Sequence, residues 1–318
     1  MRILVVILAL FLFSGCKSQK VKNNYADLRI NCEYETENDK LNGIYISKYK
    51  NGTKRSEGNF TNNVRSGIWT VYDSTGRKIH QRKYSNHLSF EKLYPEKEKT
   101  GPASLFDSSF YSPLKNKKGY YDYFQLTERM VIYSARVWRE IATNNNKFIF
   151  EKDLLYQNLF QFVTDSANES YCSLMEDFST KMTVNELKKF NLKDYKIVSW
   201  KIKEDYIYDI DRNVSETRII GMAPVGINKT SKDTSELYWI YFPMVRESMA
   251  GLKIKNKTMD DIFFERNFTS EIYKLSNAKD LKLKDYCKTS EIIKSEQQRI
   301  EISLIETEHE IWLGNLPF

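Results

Sequence analysis

The sequence predicts an α+β protein with two parts, a small N-terminal module of β-hairpins and a larger antiparallel sheet packed with helices. Three observations favour this class. A weak repeat with a period of twenty-four residues covers residues 41–86, three β-rich stretches lie between residues 196 and 243, and helical patterns flank those stretches. The chain has 318 residues, which is long enough for two domains that each bury a core.

The start of the chain has the pattern of a lipoprotein signal peptide. An apolar run of eleven residues, from Ile3 to Phe13, precedes Cys16 and is shorter than the ~20 residues that a membrane-spanning helix needs. The small residues directly before Cys16 resemble a lipobox, so we expect residues 1–15 to be removed and Cys16 to carry the lipid. An ordinary secretory signal that happens to contain a cysteine is the alternative.

The segment after the signal peptide predicts a tether. Residues 16–40 are polar, have few apolar positions and show no period, which favours a linker between the membrane and the first domain. The formal net charge of the chain is +7, but its lysines and arginines are scattered and no motif for reading nucleic acid is present. Anionic lipid, acidic partner proteins or solubility explain this excess better than nucleic acid does, and no nucleic-acid partner is expected.

Residues 41–94 predict a module of short β-hairpins. Gly52 recurs as Gly76 twenty-four residues later, and each lies where a tight turn needs a positive φ. The pattern resembles bacterial MORN-type repeats. Two copies bury little core, so we expect this MORN-like module to pack against a neighbouring domain or a partner, as a docking module or as a spacer. Proline and glycine in residues 95–119 indicate a linker to the domain that fills residues 120–318.

A helix is predicted for residues 126–141, because apolar residues recur there every three or four positions. They are Leu126, Met130, Tyr133, Val137 and Ile141. Arg136, Trp138 and Arg139 lie beside this stripe and are candidate contact residues, since tryptophan and arginine are favoured at protein interfaces. An amphipathic core helix with solvated arginines is the alternative, and the residue types favour it.

Three strands are predicted in the centre of the domain, at residues 196–208, 218–225 and 236–243. Polar residues at 209–213 and 226–235 predict the two turns that connect them as hairpins. Consecutive apolar residues around Trp239 indicate that the third strand is covered on both sides.

Helical patterns surround these strands. One helix is expected at residues 154–163, and capping patterns at Thr183 and Thr258 predict two more helix starts. The last long helix is expected to begin near Ser290 and to end at Gly314.

Several of these stretches, in this order, resemble the GldN/PorN family, a periplasmic component of the gliding and type IX secretion machinery of Bacteroidota. The resemblance covers residues 120–312 and rests on LTERMVIYSARVWREI, RIIGMAPV, ELYWIYFP, TMDDIFFERNF and ETEHEIW. It implies a structural protein without enzymatic activity, which forms a large ring with a partner lipoprotein beneath the outer membrane. Members of the family usually lack a lipid anchor and a repeat module, so the chain resembles a paralogue of the ring subunit.

The resemblance also implies partners and a location. The expected partners are a GldK/PorK-like lipoprotein, a GldM/PorM-like motor-trunk protein and further copies of the chain, with outer-membrane lipid held through Cys16. No acidic cluster follows Cys16, unlike in surface-exported lipoproteins of Bacteroidota, which favours the periplasmic face of the outer membrane. Arg266 lies in the TMDDIFFERNF stretch and joins Arg136, Trp138 and Arg139 as a candidate contact residue.

Residue patterns for metal binding or catalysis are not recognisable. The three histidines, His80, His87 and His309, are far apart in the sequence and lack metal-ligand spacing. Residues 209–213 begin like a calcium loop, but Val214 replaces the glycine that such a loop needs. No phosphate-binding loop, nucleophile elbow or metalloprotease motif is present, so no catalytic, metal or cofactor-binding residue is predicted. At least one thiol should stay free among the cysteines that follow the lipobox, Cys32, Cys172 and Cys287.

Two acid pairs, Glu204-Asp205 and Asp260-Asp261, have the residue types for acid/base catalysis. A strand surface and a helix N-terminus explain them more simply. Three functions therefore stay open from the sequence. The favoured one is a lipid-anchored periplasmic structural component resembling the GldN/PorN ring subunit. An envelope interaction protein led by the MORN-like module, such as an immunity or adaptor lipoprotein, is the main alternative, and an enzyme or small-ligand binder is the third.

Overall fold

A computed structural model of the chain describes residues 18–87, 89–95, 110–111 and 113–315. The described residues form two large antiparallel sheets, and the last helix packs between them. The predicted α+β class, with N-terminal hairpins followed by a second sheet and helices, is confirmed.

The N-terminal sheet has eight strands in sequence order, so each strand pairs with its neighbours along the chain. Gly52 and Gly76 lie at two of its turns with φ values of 86° and 87°, as the repeat predicts. The strands are β1 (Gln19–Tyr25), β2 (Ile30–Glu37), β3 (Lys40–Lys48), β4 (Lys54–Thr61), β5 (Val64–Tyr72), β6 (Lys78–Tyr84), β7 (Phe90–Tyr94) and β8 (Phe110–Tyr111).

The first hairpin of this sheet occupies most of the predicted tether. Ile30, Cys32 and Tyr34 alternate along β2 and are each 2% exposed, so the segment has one buried face. The tether prediction for residues 16–40 is wrong in this part, because the alternation of buried and exposed side chains was hard to recognise among so many polar residues. The predicted signal peptide and Cys16 lie outside the described residues, as do positions 96–109 of the predicted linker.

The central sheet is built around one long hairpin. Strands β11 and β12 have 15 residues each, and the turn between them lies at the predicted residues 209–213. The strand order is β10-β14-β12-β11-β9-β17, with β13 also paired to β12. The strands of the second half of the chain are β9 (Val131–Ala142), β10 (Cys172–Ser173), β11 (Tyr195–Asp209), β12 (Val214–Asn228), β13 (Thr234–Glu236), β14 (Trp239–Tyr241), β15 (Lys253–Ile254), β16 (Lys257–Thr258) and β17 (Glu271–Leu275).

Strand β9 corrects the predicted helix at residues 126–141. Only a short 3-10 turn, Glu128–Met130, precedes the strand, which pairs with β11 on one side and β17 on the other. Val131, Ile132 and Val137 are β-branched and suit a strand between two others. The helical spacing of apolar residues was misleading, because both faces of a central strand carry apolar residues.

The predicted helix starts are confirmed. Thr183 and Thr258 each accept a hydrogen bond from the backbone N–H three residues later, in capping boxes with Glu186 and Asp261. The α-helices are α1 (Leu154–Thr164), α2 (Val184–Leu187), α3 (Arg246–Gly251), α4 (Met259–Phe264), α5 (Leu283–Tyr286) and α6 (Ser290–Trp312).

The largest core lies between one face of the central sheet and helices α1, α3 and α4. Trp200 and Ile202 from β11 meet Leu159, Met249 and Phe263 there, all of them at most 1% exposed. Helix α6 has its own contacts on both sides: Ile302 and Ile305 pack with the N-terminal sheet, and Ile300 and Leu304 pack with the central sheet. The N-terminal sheet thus packs against a neighbour within the chain, as its small size predicts.

Candidate interaction surfaces

The predicted contact residues on β9 do not share one face of the sheet. Side chains on a strand alternate between faces, so Arg136 and Trp138 lie on one face of β9 and Arg139 on the other. We call the first face the open face, because helices α1, α3 and α4 cover the opposite one. The loop that carries Glu176 and Phe178 covers the part of this face around Trp138, and Arg136 lies outside that part.

Arg136 is the one predicted contact residue with a well-exposed side chain. Its guanidinium binds Asp205 on the neighbouring strand, with Nε 2.6 Å from Oδ1, and the Arg136 side chain is 43% exposed. Hydrogen bonding to Asp205 raises the pKa of Arg136, so the guanidinium stays charged. The surface therefore presents a fixed ion pair at the centre of the sheet, where the planar guanidinium also has donors for a partner.

Trp138 is buried, which is a correction of the predicted contact. It is 5% exposed and packs with Ala223 and Trp239 in a small apolar cluster on the open face. The ammonium groups of Lys274 and Lys203 lie 4.1 and 5.7 Å from the centre of its ring. Trp138 thus makes cation–π contacts with two lysines of its own chain, and little of its surface is exposed to a partner protein.

Arg139 is buried and Arg266 is half-buried, and both belong to one charged cluster on the face opposite the open face. Both guanidinium groups bind the carboxylate of Glu204, and Arg139 also binds Glu301 of α6. Burial alone would raise the pKa of Glu204, but the charges of Arg266 and Arg139 outweigh it and lower that pKa. These two arginines hold α6 and the turn after α4 to the central sheet, and the side chain of Arg139 is too deeply buried to contact a partner.

A second charged cluster joins α6 to the N-terminal sheet, and the sequence did not predict it. Glu306 accepts hydrogen bonds from Tyr45 at 2.8 Å and Ser56 at 3.0 Å, and its carboxylate lies 2.9 Å from Arg55 Nε. Two residues further along α6, Glu308 binds Arg65 and Arg82. Glu306 and Glu308 of the ETEHEIW stretch therefore face inward, where three arginines of the repeat module neutralise their carboxylates. The sequence did carry a signal for this cluster, because Glu306 and Glu308 lie among the apolar residues that α6 buries.

The two acid pairs that were considered for catalysis form ion pairs and a helix cap within the fold. Glu204 and Asp205 bind arginines on opposite faces of β11. Asp260 is fully buried and forms two hydrogen bonds of 2.8 Å with Arg246, while Asp261 caps α4 and binds Lys115. Each carboxylate has a cationic partner, which is the arrangement of a structural ion pair.

Two of the three histidines, His80 and His309, and the described cysteines are also buried within the fold, and His87 is half-buried. His80 and His309 both contact the ring of Trp312, at centroid distances of 4.0 and 5.2 Å, although 229 positions separate them in the sequence. Among the described residues no group of three or more metal-ligating side chains could hold an ion. The cysteines that the structure describes are buried and unpaired: Cys32, Cys172 and Cys287.

A cleft of about 460 Å³ lies beside the outer edge of the central sheet. Its walls come from residues 269–273, which include the start of β17, from β9 and β11 through Glu140, Ala142 and Lys201, and from α5 and α6. Lysines are prominent in its walls: Lys40, Lys201, Lys282 and Lys284. The cleft thus combines a sheet edge with a basic rim.

None of the helices in the described part of the chain is long and apolar enough to span a membrane. The fold defines a two-sheet α+β protein. Its buried charged residues form ion pairs within the structure, and its exposed features are the open face and a cleft with a basic rim. The chain belongs to the family of the gliding motility associated protein GldN, whose model matches residues 126–313, more than half of the chain. This family is associated with gliding motility and type IX secretion. A search of curated proteins found no match.

Proposed function

We propose that the protein is a lipid-anchored, periplasmic structural component of the gliding and type IX secretion machinery, which acts by assembly and without enzymatic turnover. The observation that carries this proposal is the family match, which spans the central sheet and α6. The proposed partners are further copies of the chain, a GldK/PorK-like lipoprotein and a GldM/PorM-like motor-trunk protein. The proposed location is the periplasmic face of the outer membrane.

The position of β1 supports close contact with that membrane. Three peptide steps separate Cys16 from Gln19, the first residue of β1, and a chain extends at most ~3.6 Å per residue. An acyl group on Cys16 would therefore hold the N-terminal sheet within roughly 11 Å of its own attachment point. Lys20 and Lys22 are exposed on β1 and would add a weak attraction to anionic headgroups.

The open face supports assembly. Arg136 presents a rigid, half-exposed guanidinium held by Asp205, and arginine is enriched in the interiors of protein interfaces. Repeated copies that meet head to tail close into a ring when the rotation per subunit allows it.

The test is gentle detergent extraction followed by crosslinking and size analysis, with wild type beside Cys16→Ser. We expect wild type to be membrane-bound and assembled, to incorporate a fatty-acid analogue, and to co-purify with envelope proteins. Cys16→Ser should lose the label and leave the membrane. A monomeric wild type without partners would overturn the assembly proposal, and equal labelling of both proteins would overturn the lipid anchor.

A second candidate function, a MORN-like envelope adaptor, is favoured by the surface of the N-terminal sheet. All eight strands of this sheet lie outside the family match, and Ile44 and Ile68 occupy equivalent repeat positions on its outer side, 52% and 48% exposed. Deleting the repeat would uncover the charged cluster on α6, so point variants are the cleaner test. If the adaptor function holds, Ile44→Asp/Ile68→Asp abolishes function while assembly size stays unchanged. The ring proposal expects this variant to behave as wild type.

A further inference from the structure

A second cleft, of about 510 Å³, opens between turns that belong to the two halves of the chain. One wall comes from the N-terminal sheet, through residues 61, 62 and 64–66 around the β4–β5 turn and residues 85–87 after β6. The other wall comes from Asn146 and Phe148 after β9 and from residues 265–269 after α4. We call this space the turn cleft. Its volume lies within the ~300–1,000 Å³ that is usual for small-molecule sites.

Asparagine side chains hold both walls of the turn cleft in place. Asn146 is 1% exposed, its Nδ2 donates to Thr269 O at 2.8 Å, and its Oδ1 accepts a hydrogen bond from Thr269 N at 2.7 Å. These bonds tie the segment that carries Phe148 to the turn after α4. On the opposite wall, Asn63 Oδ1 accepts a hydrogen bond from Leu41 N at 2.7 Å and fixes the β4–β5 turn. Walls that are fixed before a ligand arrives lower the entropy cost of binding.

The walls of the turn cleft are polar but carry little unneutralised charge. Eight of the fifteen lining residues are asparagine, serine or threonine, whose amides and hydroxyls both donate and accept hydrogen bonds. Each charged lining residue has a partner of opposite charge within the chain: Arg65 with Glu308, Arg266 with Glu204 and Glu265 with Lys257. Burial and the charges of Arg266 and Arg65 lower the pKa of His87, so this ring is neutral as well. A neutral ligand with many hydroxyl groups therefore matches the cleft better than an ionic one does.

Several side chains in the turn cleft can still bind a ligand. Those of Asn62, Ser85 and Thr269 make no hydrogen bond within the described part of the chain. Phe148 lines the same cleft with a side chain that is 44% exposed, and its ring stacks on no other aromatic ring or cation among the described residues. A pyranose sugar has hydroxyl groups around its rim and an apolar C–H face, which amides, hydroxyls and an exposed aromatic ring complement.

We propose that the turn cleft binds a neutral oligosaccharide, whose hydroxyl groups pair with Asn62, Ser85 and Thr269 while one sugar ring stacks on Phe148. The ligand contacts both halves of the chain, because Asn62 and Ser85 follow strands of the N-terminal sheet and the other two residues lie in the second half. The family match at residues 126–313 includes only the second wall, so the complete site also needs the sheet that lies outside that match. This inference goes beyond the proposed function and gives the N-terminal sheet a part in ligand binding.

The test is titration calorimetry on the full chain, extracted in a detergent without a sugar headgroup, with chitotetraose, cellotetraose and maltotetraose as probes. We expect at least one of these neutral tetrasaccharides to bind with a dissociation constant of about 1 mM or lower. Phe148→Ala should weaken this binding at least tenfold. Tyr286→Ala, which removes a ring of similar exposure (47%) outside the cleft, should leave it unchanged. Absence of binding for all three probes, or equal binding by both variants, would overturn the proposal.

The opposite wall is tested with Asn62→Gly. Asn62 has a φ of 50°, a left-handed conformation that glycine adopts freely, so this change removes the amide and keeps the turn. It should weaken binding several-fold at an unchanged melting temperature, whereas Lys232→Gly, at another left-handed position outside the cleft, should bind as wild type does. Wild-type binding by a folded Asn62→Gly protein would overturn the two-walled site.

An acidic peptide, tetraglutamate, distinguishes a sugar site from a protein-docking site. We expect no displacement of the bound tetrasaccharide by this peptide, and binding of the peptide in place of the sugars would overturn the proposal. The measurements need no assembled complex, so their failure leaves the proposed function as it stands. A monomeric chain that binds the sugar defeats the proposed function alone.

Discussion

Glu306 and Arg55 form an ion pair between α6 and the N-terminal sheet, with Oε2 2.9 Å from Nε and both side chains 2% exposed. The two residues are 251 positions apart in the sequence. Arg55 also binds Glu310 on the next turn of α6, at 2.7 Å, and this second carboxylate is 32% exposed. The last helix and the repeat module are therefore joined by a guanidinium that is almost completely removed from water.

The first prediction is that Glu306→Gln destabilises the protein by about 3 kcal/mol. Glutamine keeps an oxygen for Tyr45 and Ser56 but removes the buried negative charge beside Arg55, which leaves the buried guanidinium with the partly exposed Glu310 as its carboxylate partner. Urea denaturation measures the free energy of unfolding. Glu310→Gln is the matched control and should cost less than about 1 kcal/mol, since that carboxylate is partly exposed. Equal losses in both variants would show that Glu306 has no special role.

The second prediction concerns pH and His80. Burial, with the charges of Arg82 and Lys92, lowers the pKa of His80 to about 2, so the folded protein keeps this ring neutral. The unfolded chain takes up the proton near pH 6.5, so the contribution of His80 to stability is present above that pH and is lost as the pH falls. The loss should approach about 1.4 kcal/mol per pH unit below pH 6.

Denaturation at pH 7 and pH 5 checks the histidine prediction. His80→Gln should show a smaller decrease in stability between these two pH values than wild type. His87, whose pKa burial also lowers, stays in both proteins and contributes equally. Carboxylates such as Glu204, with lowered pKa values, act only below about pH 4.3 and do not enter this window. Identical slopes for the two proteins would contradict the prediction.

The sequence predicted those elements whose signals are local. The hairpin of β11 and β12, the capping boxes at Thr183 and Thr258, and the turns at Gly52 and Gly76 all depend on residues within a few positions of one another. Local hydrogen bonding and backbone conformation fix these features, so a single sequence is sufficient to find them.

Features that depend on distant partners were missed. Strand β9 had a helical spacing of apolar residues, and only its position between β11 and β17 makes it a strand. Arg139 and Arg266 had the residue type of surface contacts, but both bind the carboxylate of Glu204, which lies on another strand. Pairing across 62 to 65 positions leaves no mark in a local pattern. The burial of charged residues is therefore what sequence reasoning handled worst in this protein.

The third prediction is that Gly58→Ala destabilises the N-terminal sheet by more than about 2 kcal/mol. A Cβ at Gly58 would lie 2.2 Å from Cδ2 of Trp69, which is 1% exposed and stacked on Tyr45. The indole cannot move away without disturbing the packing around it. Thermal unfolding measures the loss, and Gly251→Ala is the control, because nothing lies within 4 Å of its added Cβ. A melting temperature equal to that of the control would contradict this close approach.

The last prediction separates assembly from stability with two arginines three positions apart. Arg139 is buried between Glu204 and Glu301, so Arg139→Ala should cost about 3–5 kcal/mol and reduce the amount of folded protein. Arg136 is half-exposed with Asp205, so Arg136→Ala should change the free energy of unfolding by only about 0–1 kcal/mol.

Assembly, measured on folded protein, should depend on Arg136 and not on Arg139. Arg136→Glu reverses a charge on the open face and should lower the crosslinked, assembled fraction several-fold, while its melting temperature stays near that of wild type. Arg139→Ala, purified as far as it folds, should assemble in proportion to its folded amount, because its side chain does not reach the surface. Normal assembly of a folded Arg136→Glu protein would show that the open face around Arg136 is not part of the interface.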